Sequence, residues 1–173
     1  MTREGEAACR GTGTAAQGVP LPAAALQEIL RQAEAGYPEE ICGILVGRAG
    51  EPATVQVRQV PNVANRDPQR DPGGFERDAR SAYRMDDRAV LQVLRDSESA
   101  GLEVLGFYHS HPDHEAYFSA MDRERATLQG AEPLWPGAFY LVVSVPRGRA
   151  THAKVFAWDA ARGDFSEITP AAS

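Results

Sequence analysis

Four side chains that lie close together in the chain have the types and spacing to hold and use a metal ion. The stretch Gly106-Phe107-Tyr108-His109-Ser110-His111-Pro112 is followed by Ser119 and Asp122. On a strand, residues i and i+2 point to the same face, so His109 and His111 aim two imidazoles at one point. Pro112 ends the strand because it cannot continue a hydrogen-bonded ladder. Seven residues separate His111 from Ser119, enough for a loop to fold back, and Asp122 lies one helical turn further on. Two imidazoles and one carboxylate suit Zn²⁺, and three protein ligands leave the fourth position open for water, the catalytic arrangement. Taken singly, each part has a plainer reading. A histidine in a strand is more often packed or solvated than a ligand. Ser119-x-x-Asp122 alone reads as a helix N-terminus with a capping residue and an acidic third position. A capped helix start can also present that third residue to a metal, and the conjunction favours the metal.

The elements that must position these groups follow from periodicity and punctuation. Leu21, Ala25, Ile29, Leu30 and Ala33 recur at helical spacing, so residues 21–35 are expected to form a helix, with Gly36 where a helix C-terminus favours it. Ile41 to Gly47 is a short apolar run, expected as a buried strand. Thr54 to Val60 alternates and is expected as a half-buried strand. Residues 61–79, rich in Pro, Gly, Arg and Asp, are expected as a long polar loop. A strand at Ser81 to Met85 and a helix from Asp86 to Ser99 should follow, the helix burying Val90, Leu91, Val93 and Leu94. Leu102 to His109 is the next strand, Ser119 to Gly130 a helix, and Ala138 to Val145 and Lys154 to Trp158 two more strands. Mixed helices and strands with one central sheet give an α/β or α+β class.

Composition bounds the rest. The chain has 173 residues, 43% apolar and 24% charged, which fits one globular domain. A net charge of −6 argues against a nucleic-acid partner and an anionic membrane surface. No run approaches the roughly 18 consecutive apolar residues of a membrane span. Residues 1–19 are expected to be a disordered tail and 20–173 the folded domain. The mixed charges Arg3, Glu4 and Glu6 do not make a secretory signal. With only Cys9 and Cys42, a reducing, cytoplasmic compartment is the simplest expectation.

Together, His109-x-His111-x₇-Ser119-x-x-Asp122 resembles the JAMM (MPN+) signature of zinc metallopeptidases without a gap. Upstream, Pro38-Glu39-Glu40-Ile41-Cys42-Gly43-Ile44-Leu45-Val46-Gly47 looks like that family's glutamate segment. Gly106 to His114 and Phe139 to Val145 resemble the compact stand-alone bacterial members, and the likeness runs from about residue 20 to 168. The resemblance implies a single MPN/cytidine-deaminase-like domain with a central, largely antiparallel curved sheet flanked by helices. It implies that His109, His111 and Asp122 hold one Zn²⁺ per chain. The residues alone do not choose between Glu39 and Glu40. The resemblance selects Glu40, two residues after the Pro and three before the Gly, and strand alternation sends Glu39 the other way. Ser119 looks like the family's hydroxyl donor to the oxyanion, a role typically worth about 3 kcal/mol in the transition state. One departure is Phe118, where the bacterial subgroup often has Pro; this is expected to touch loop shape and substrate contacts.

Metal, water and Glu imply amide hydrolysis. Zn²⁺ lowers the pKa of bound water from 15.7 to about 7, and Glu40 would take the water proton and deliver it to the leaving amine. The resemblance implies a ubiquitin-like or sulfur-carrier protein with a C-terminal Gly-Gly tail as substrate, cut after the second Gly to release a linked protein or a C-terminal amino acid. A narrow groove admits residues without Cβ, and an extended tail can pair with a strand edge. Arg66, Arg70, Arg77 and Arg80 could meet an acidic partner, although the acidic residues among them favour a solvated loop. Cys42 is a small buried residue or a soft thiol near the metal. His114 is a loop residue that could contact substrate; His152, Trp135 and Trp158 receive no role. The rival readings are a non-catalytic MPN-type scaffold and a metallohydrolase of a small amide.

Overall fold

The computed structural model describes residues 19, 21–64 and 79–169. The expected tail falls outside these residues apart from Val19, as do residues 65–78 of the expected loop with Arg66, Arg70 and Arg77.

Ala, Leu, Gln and Glu, all good helix formers, build α1, Ala23–Gly36, which buries Ala25, Ile29 and Ala33 one turn apart. Gly36 does not end it in the left-handed conformation expected of a terminal glycine. It is needed for its size, since a methyl there would meet Cγ2 of Ile41. The buried apolar run forms β1, Cys42–Arg48, and the alternating run forms the half-buried β2, Glu51–Val60. Asp86 caps α2, Asp87–Ser99, by accepting the N–H of Ala89. The buried stripe of α2 is narrower than expected: Val93 and Ser97 are buried, and Leu91 is 47% exposed.

The expected strand at Ser81 to Met85 does not form. Its backbone pairs with a side chain instead. Asn62 donates its amide to the carbonyl of Ala82 at 3.1 Å and accepts the N–H of Arg84 at 3.0 Å. Only the isolated bridge between Asn62 and Met85 remains of a ladder.

Next come β3, Glu103–Pro112, and α3, Ala120–Ala126. α3 stops four residues short of the expected Gly130. Thr127 leaves the helix in extended conformation, and β4 (Thr127–Leu128) pairs with β5 (Glu132–Pro133) around Gln129 and Gly130, both at positive φ. The chain closes with β6, Phe139–Val145, β7, His152–Asp159, and β8, Asp164–Ile168, the last not anticipated from sequence.

Six strands form the central sheet in the order β2-β1-β3-β6-β7-β8. All neighbours are antiparallel except β3 and β6. The helices cover both faces. Ile29 and Ala33 of α1 pack with Leu45, Leu105, Tyr108, Leu141 and Val143 on one side. Val93 of α2 and Ala126 of α3 pack with Ile44, Phe107, Tyr140, Val142 and Phe118 on the other. The mixed architecture with a largely antiparallel central sheet is therefore as expected. Among the described residues, no helix is long and apolar enough to cross a membrane.

β3 carries an irregularity that decides which face its C-terminal half presents. Leu45 of β1 faces Gly106 and Val46 faces Val104, so Leu105 is an extra residue, a β-bulge. Val104 packs with the α2/α3 layer and Leu105 with the α1 layer; beyond the bulge Phe107 lies with α2/α3 and Tyr108 with α1. Gly106 sits at the bend and against β6, where a Cβ would come within 2.6 Å of the Phe139 carbonyl oxygen and 2.8 Å of its ring. Backbone there cannot move aside as a side-chain end can. Gly106→Ala is therefore expected to lower stability by about 1–3 kcal/mol, read as a reduced midpoint in urea unfolding.

Candidate metal centre

Beyond the bulge, alternation puts His109 and His111 on the face covered by α2 and α3. Both are nearly closed to solvent, at 1% and 6% exposure. Their Nε2 atoms lie 3.1 Å apart. Nδ1 of His111 is 3.0 Å from the carbonyl oxygen of Glu115. A carbonyl only accepts, so Nδ1 carries the proton and Nε2 presents a lone pair. Burial first, and then the neighbouring His109, lower the pKa of His111 to about 4, so its ring is neutral near pH 7.

After Pro112 the chain turns sharply at Asp113, whose φ is 57°. Aspartate tolerates this left-handed conformation. Its carboxylate accepts the Tyr37 hydroxyl at 2.9 Å and the Arg147 N–H at 2.7 Å, which fixes the turn to α1 and to the end of β6. The returning loop reaches Ser119, the N-cap of α3. A capping box forms: Ser119 Oγ accepts the N–H of Asp122 at 3.1 Å, and Asp122 Oδ2 accepts the N–H of Ser119 at 2.8 Å. The Ser119 hydroxyl also donates to Oδ2 at 2.6 Å. Oδ2 is thus held by the protein, and Oδ1 is turned to Nε2 of His109 at 3.4 Å. Burial opposes ionisation of Asp122, but the adjacent His109 and the hydrogen bonds from His109 and Ser119 outweigh it and hold the carboxyl well below the usual carboxylate range.

One donor atom from each of His109, His111 and Asp122 lies within 4.8 Å of the others. Ligands bound to zinc at roughly 2.0–2.1 Å in tetrahedral geometry lie about 3.4 Å apart. Two of the separations, 3.1 and 3.4 Å, lie close to that spacing, and the third, from His111 Nε2 to the nearer oxygen of Asp122, is wider at 3.9 Å. The donor set, its neutral imidazole and its anchored carboxylate therefore fit a divalent cation such as zinc. Glu40 is 7% exposed and lines the same cavity of about 340 Å³ with His111, Ser119 and Asp122. Glu39 is exposed; both glutamates precede β1, so strand alternation does not set their directions as expected, and the turn after α1 does. The sequence-predicted residues thus meet in one place.

Sequence reasoning missed two groups there. Tyr83 stacks on His109 with ring centres 4.5 Å apart and 26° between planes. Asn62 donates its amide to the Glu40 carbonyl at 2.9 Å as well as to Ala82, so one side chain ties the Glu40 segment to the segment carrying Tyr83. Neither carried a sequence signal, since Tyr83 stood in an expected strand and Asn62 in an expected loop.

Comparison with known proteins gives concordant findings. A family described as prokaryotic homologs of the JAB domain matches residues 22–160. The chain is 37% identical over 135 residues to a desampylase of Haloferax volcanii, covering 76% of this chain and 83% of that protein. It is 31% identical over 116 residues to a CysO-cysteine peptidase of Mycobacterium tuberculosis, covering 67% of this chain and 66% of that one. Among solved structures it is similar to a protein from Desulfitobacterium hafniense, with TM-score 0.61, 25% identity and coverage of 86% and 88%. It is also similar to one from Salinibacter ruber, with TM-score 0.57, 31% identity and coverage of 87% and 88%.

The flanking residues sort by burial. Phe118 does not reach towards substrate. It is 5% exposed and packs on Tyr140, Phe156 and Phe165, so it shapes the loop from within the core. His114 lines the cavity. His152 pairs with Glu115 at 3.2 Å. Trp135 packs on Phe107, and Trp158 packs on Phe165. Cys42 pairs with His109 across β1 and β3, yet it is fully buried and its thiol lies 3.4 Å from the Val60 carbonyl. Burial, and secondarily Glu40, push its pKa up to about 12, which favours the inert-residue reading over the reactive thiol. In a Cys9→Ser background, the native protein should take up almost no maleimide at pH 7 and a full equivalent after denaturation. Rapid labelling of the native form would restore the reactive reading.

Proposed function

The chain belongs to the family of prokaryotic homologs of the JAB domain, and we propose on that premise that it is a zinc-dependent peptidase. Its substrate in this proposal is a ubiquitin-like or sulfur-carrier protein, hydrolysed at the amide bond after a C-terminal Gly-Gly. The observation that carries the reading is the convergence of His109, His111 and Asp122 on one point, with the buried Glu40 lining the same cavity. Relatives named as a desampylase and as a CysO-cysteine peptidase support a protein-linked amide as the bond cut.

In this mechanism Nε2 of His109, Nε2 of His111 and Oδ1 of Asp122 would hold the cation. When bound, it supplies Lewis-acid activation of water and of the scissile carbonyl. Glu40 accepts the proton of the attacking water and returns it to the departing amine, so the C–N bond breaks as the amine becomes neutral. The carbonyl of Glu40 is fixed by Asn62, which restrains the base. Ser119 acts on the oxyanion by rotating its hydroxyl away from Asp122, whose Oδ2 keeps the Ser119 N–H. A burial of 7% for Glu40 favours an active site over a scaffold, because an idle carboxylate is normally left in water.

Glu40→Gln should keep about one equivalent of zinc and the wild-type melting behaviour while hydrolysis of a Gly-Gly-tailed fusion falls about 10²–10⁴-fold. Near-wild-type turnover in that variant would remove Glu40 as the base. His111→Ala should lose zinc, measured by elemental analysis after dialysis, and full occupancy would remove it from the ligand set. Wild-type protein that takes up no zinc supports the scaffold reading, and cleavage of small amides in place of the fusion supports the small-amide reading.

A further inference from the structure

The cavity beside the candidate metal centre has one Lys or Arg among the described residues that line it, Arg125 of α3. It lies three residues after Asp122, and so on the same side of the helix. Arg125 is exposed to solvent, yet its guanidinium is held: Nη1 donates to the carbonyl of Tyr83, and its Cζ lies 5.8 Å from the centre of the Tyr83 ring. No described carboxylate lies within ion-pair distance of it. A guanidinium has five N–H donors in a planar fork that matches a carboxylate. One of them goes to Tyr83, so paired donors remain for a ligand.

Charge and reach both specify that ligand. With a divalent cation in place to balance the carboxylates of Glu40 and Asp122, Arg125 adds a positive charge among the described lining residues, which an anionic group on the ligand complements. Tyr83 bounds the reach, since its ring centre stands 4.5 Å from that of His109 and 5.8 Å from the guanidinium carbon, which keeps those two groups within about 10 Å of each other. One residue spans about 3.3–3.6 Å. Within that bound a leaving group of a single amino acid has the length to bring its own carboxylate to the guanidinium, whereas an internal lysine joined through its side chain has no free carboxylate to offer there.

We propose that Arg125 receives the free α-carboxylate of the residue released on cleavage, so that the preferred substrate is a Gly-Gly-tailed carrier extended by one amino acid, not an isopeptide to a lysine side chain. This rests on the amide-hydrolysis reading above. Tyr83 is the positioning residue that bounds the distance from the cation ligand to the carboxylate receptor.

The test compares two synthetic peptides ending in Gly-Gly-Ala, one with a free carboxylate and one with a C-terminal carboxamide. The zinc-loaded wild-type protein is expected to cleave the acid with at least tenfold higher kcat/KM, mainly through KM. In Arg125→Gln the ratio between the two peptides should collapse to within twofold, and Arg125→Lys should restore part of it. This ratio does not depend on the fraction of protein that is folded. Equal rates on the two peptides in the wild type, or a preference that survives in Arg125→Gln, overturns the proposal. Calorimetric binding to zinc-loaded Glu40→Gln separates it from the reaction itself. Tighter binding of the acid by at least tenfold, lost in Glu40→Gln/Arg125→Gln, supports the carboxylate receptor even if neither peptide is cleaved by the wild type, in which case the hydrolysis reading alone fails. Cleavage of both peptides without discrimination leaves the hydrolysis reading standing and removes the role of Arg125. Neither cleavage nor a binding difference removes both.

Discussion

An extra residue in β3 changes the parity of a strand that would otherwise bury both histidines beneath α1. Val104 faces the α2/α3 layer. Uninterrupted alternation from there would send residues 106, 108 and 110 to that layer and residues 109 and 111 to the opposite one. The bulge at Leu105 reverses this, and Phe107, His109 and His111 share a face with Ile44 and Val142. The reversal is stable because both partners of β3 accept it. β1 takes up the shift between Leu45 and Val46, and β6 pairs only with the part of β3 beyond the bulge, in unbroken parallel register from Gly106 to Pro112. The candidate metal centre thus depends on backbone pairing before any ligand chemistry enters.

The acidic ligand rests on a second backbone device. Capping and metal binding are usually set against each other when Ser-x-x-Asp is read from sequence, and here the geometry of one carboxylate is compatible with both. Oδ2 completes the capping box, and Oδ1 is left for the cation. The cap fixes the rotamer of Asp122 within a helix only seven residues long, too short to rely on its own cooperativity. The hydrogen bonds of Ser119 also favour the ionised carboxylate, which is the form that binds metal. A helix start in this way holds the carboxylate of the candidate ligand in one orientation.

Around this centre, connections between remote segments do the positioning. Asn62 joins the Glu40 backbone to the segment of Tyr83. Tyr83 stacks on His109 and receives Arg125. Asp113 joins the loop after His111 to Tyr37 and Arg147. Each link is a hydrogen bond or a ring contact between groups far apart in the chain, so a change at Tyr83 acts on His109 directly, and a change at Asn62 acts through the Glu40 backbone and the Tyr83 segment.

The sequence by itself singled out the candidate ligands His109, His111 and Asp122 and determined the order of nearly all elements. These follow from local periodicity and from residue types at short spacing, which the chain carries wherever it folds. Only the tertiary structure decided the face taken by β3, the early end of α3 at the Thr127 hairpin, the loss of the Ser81–Met85 strand to the side chain of Asn62, and the places of Tyr83 and Arg125. In each case the deciding partner lies elsewhere in the chain: β1 and β6 for the bulge, β5 for the hairpin, a single asparagine for the segment that failed to become a strand. Pairing of that kind is chosen by the geometry of the assembled sheet and leaves no periodic trace in the residues it acts on.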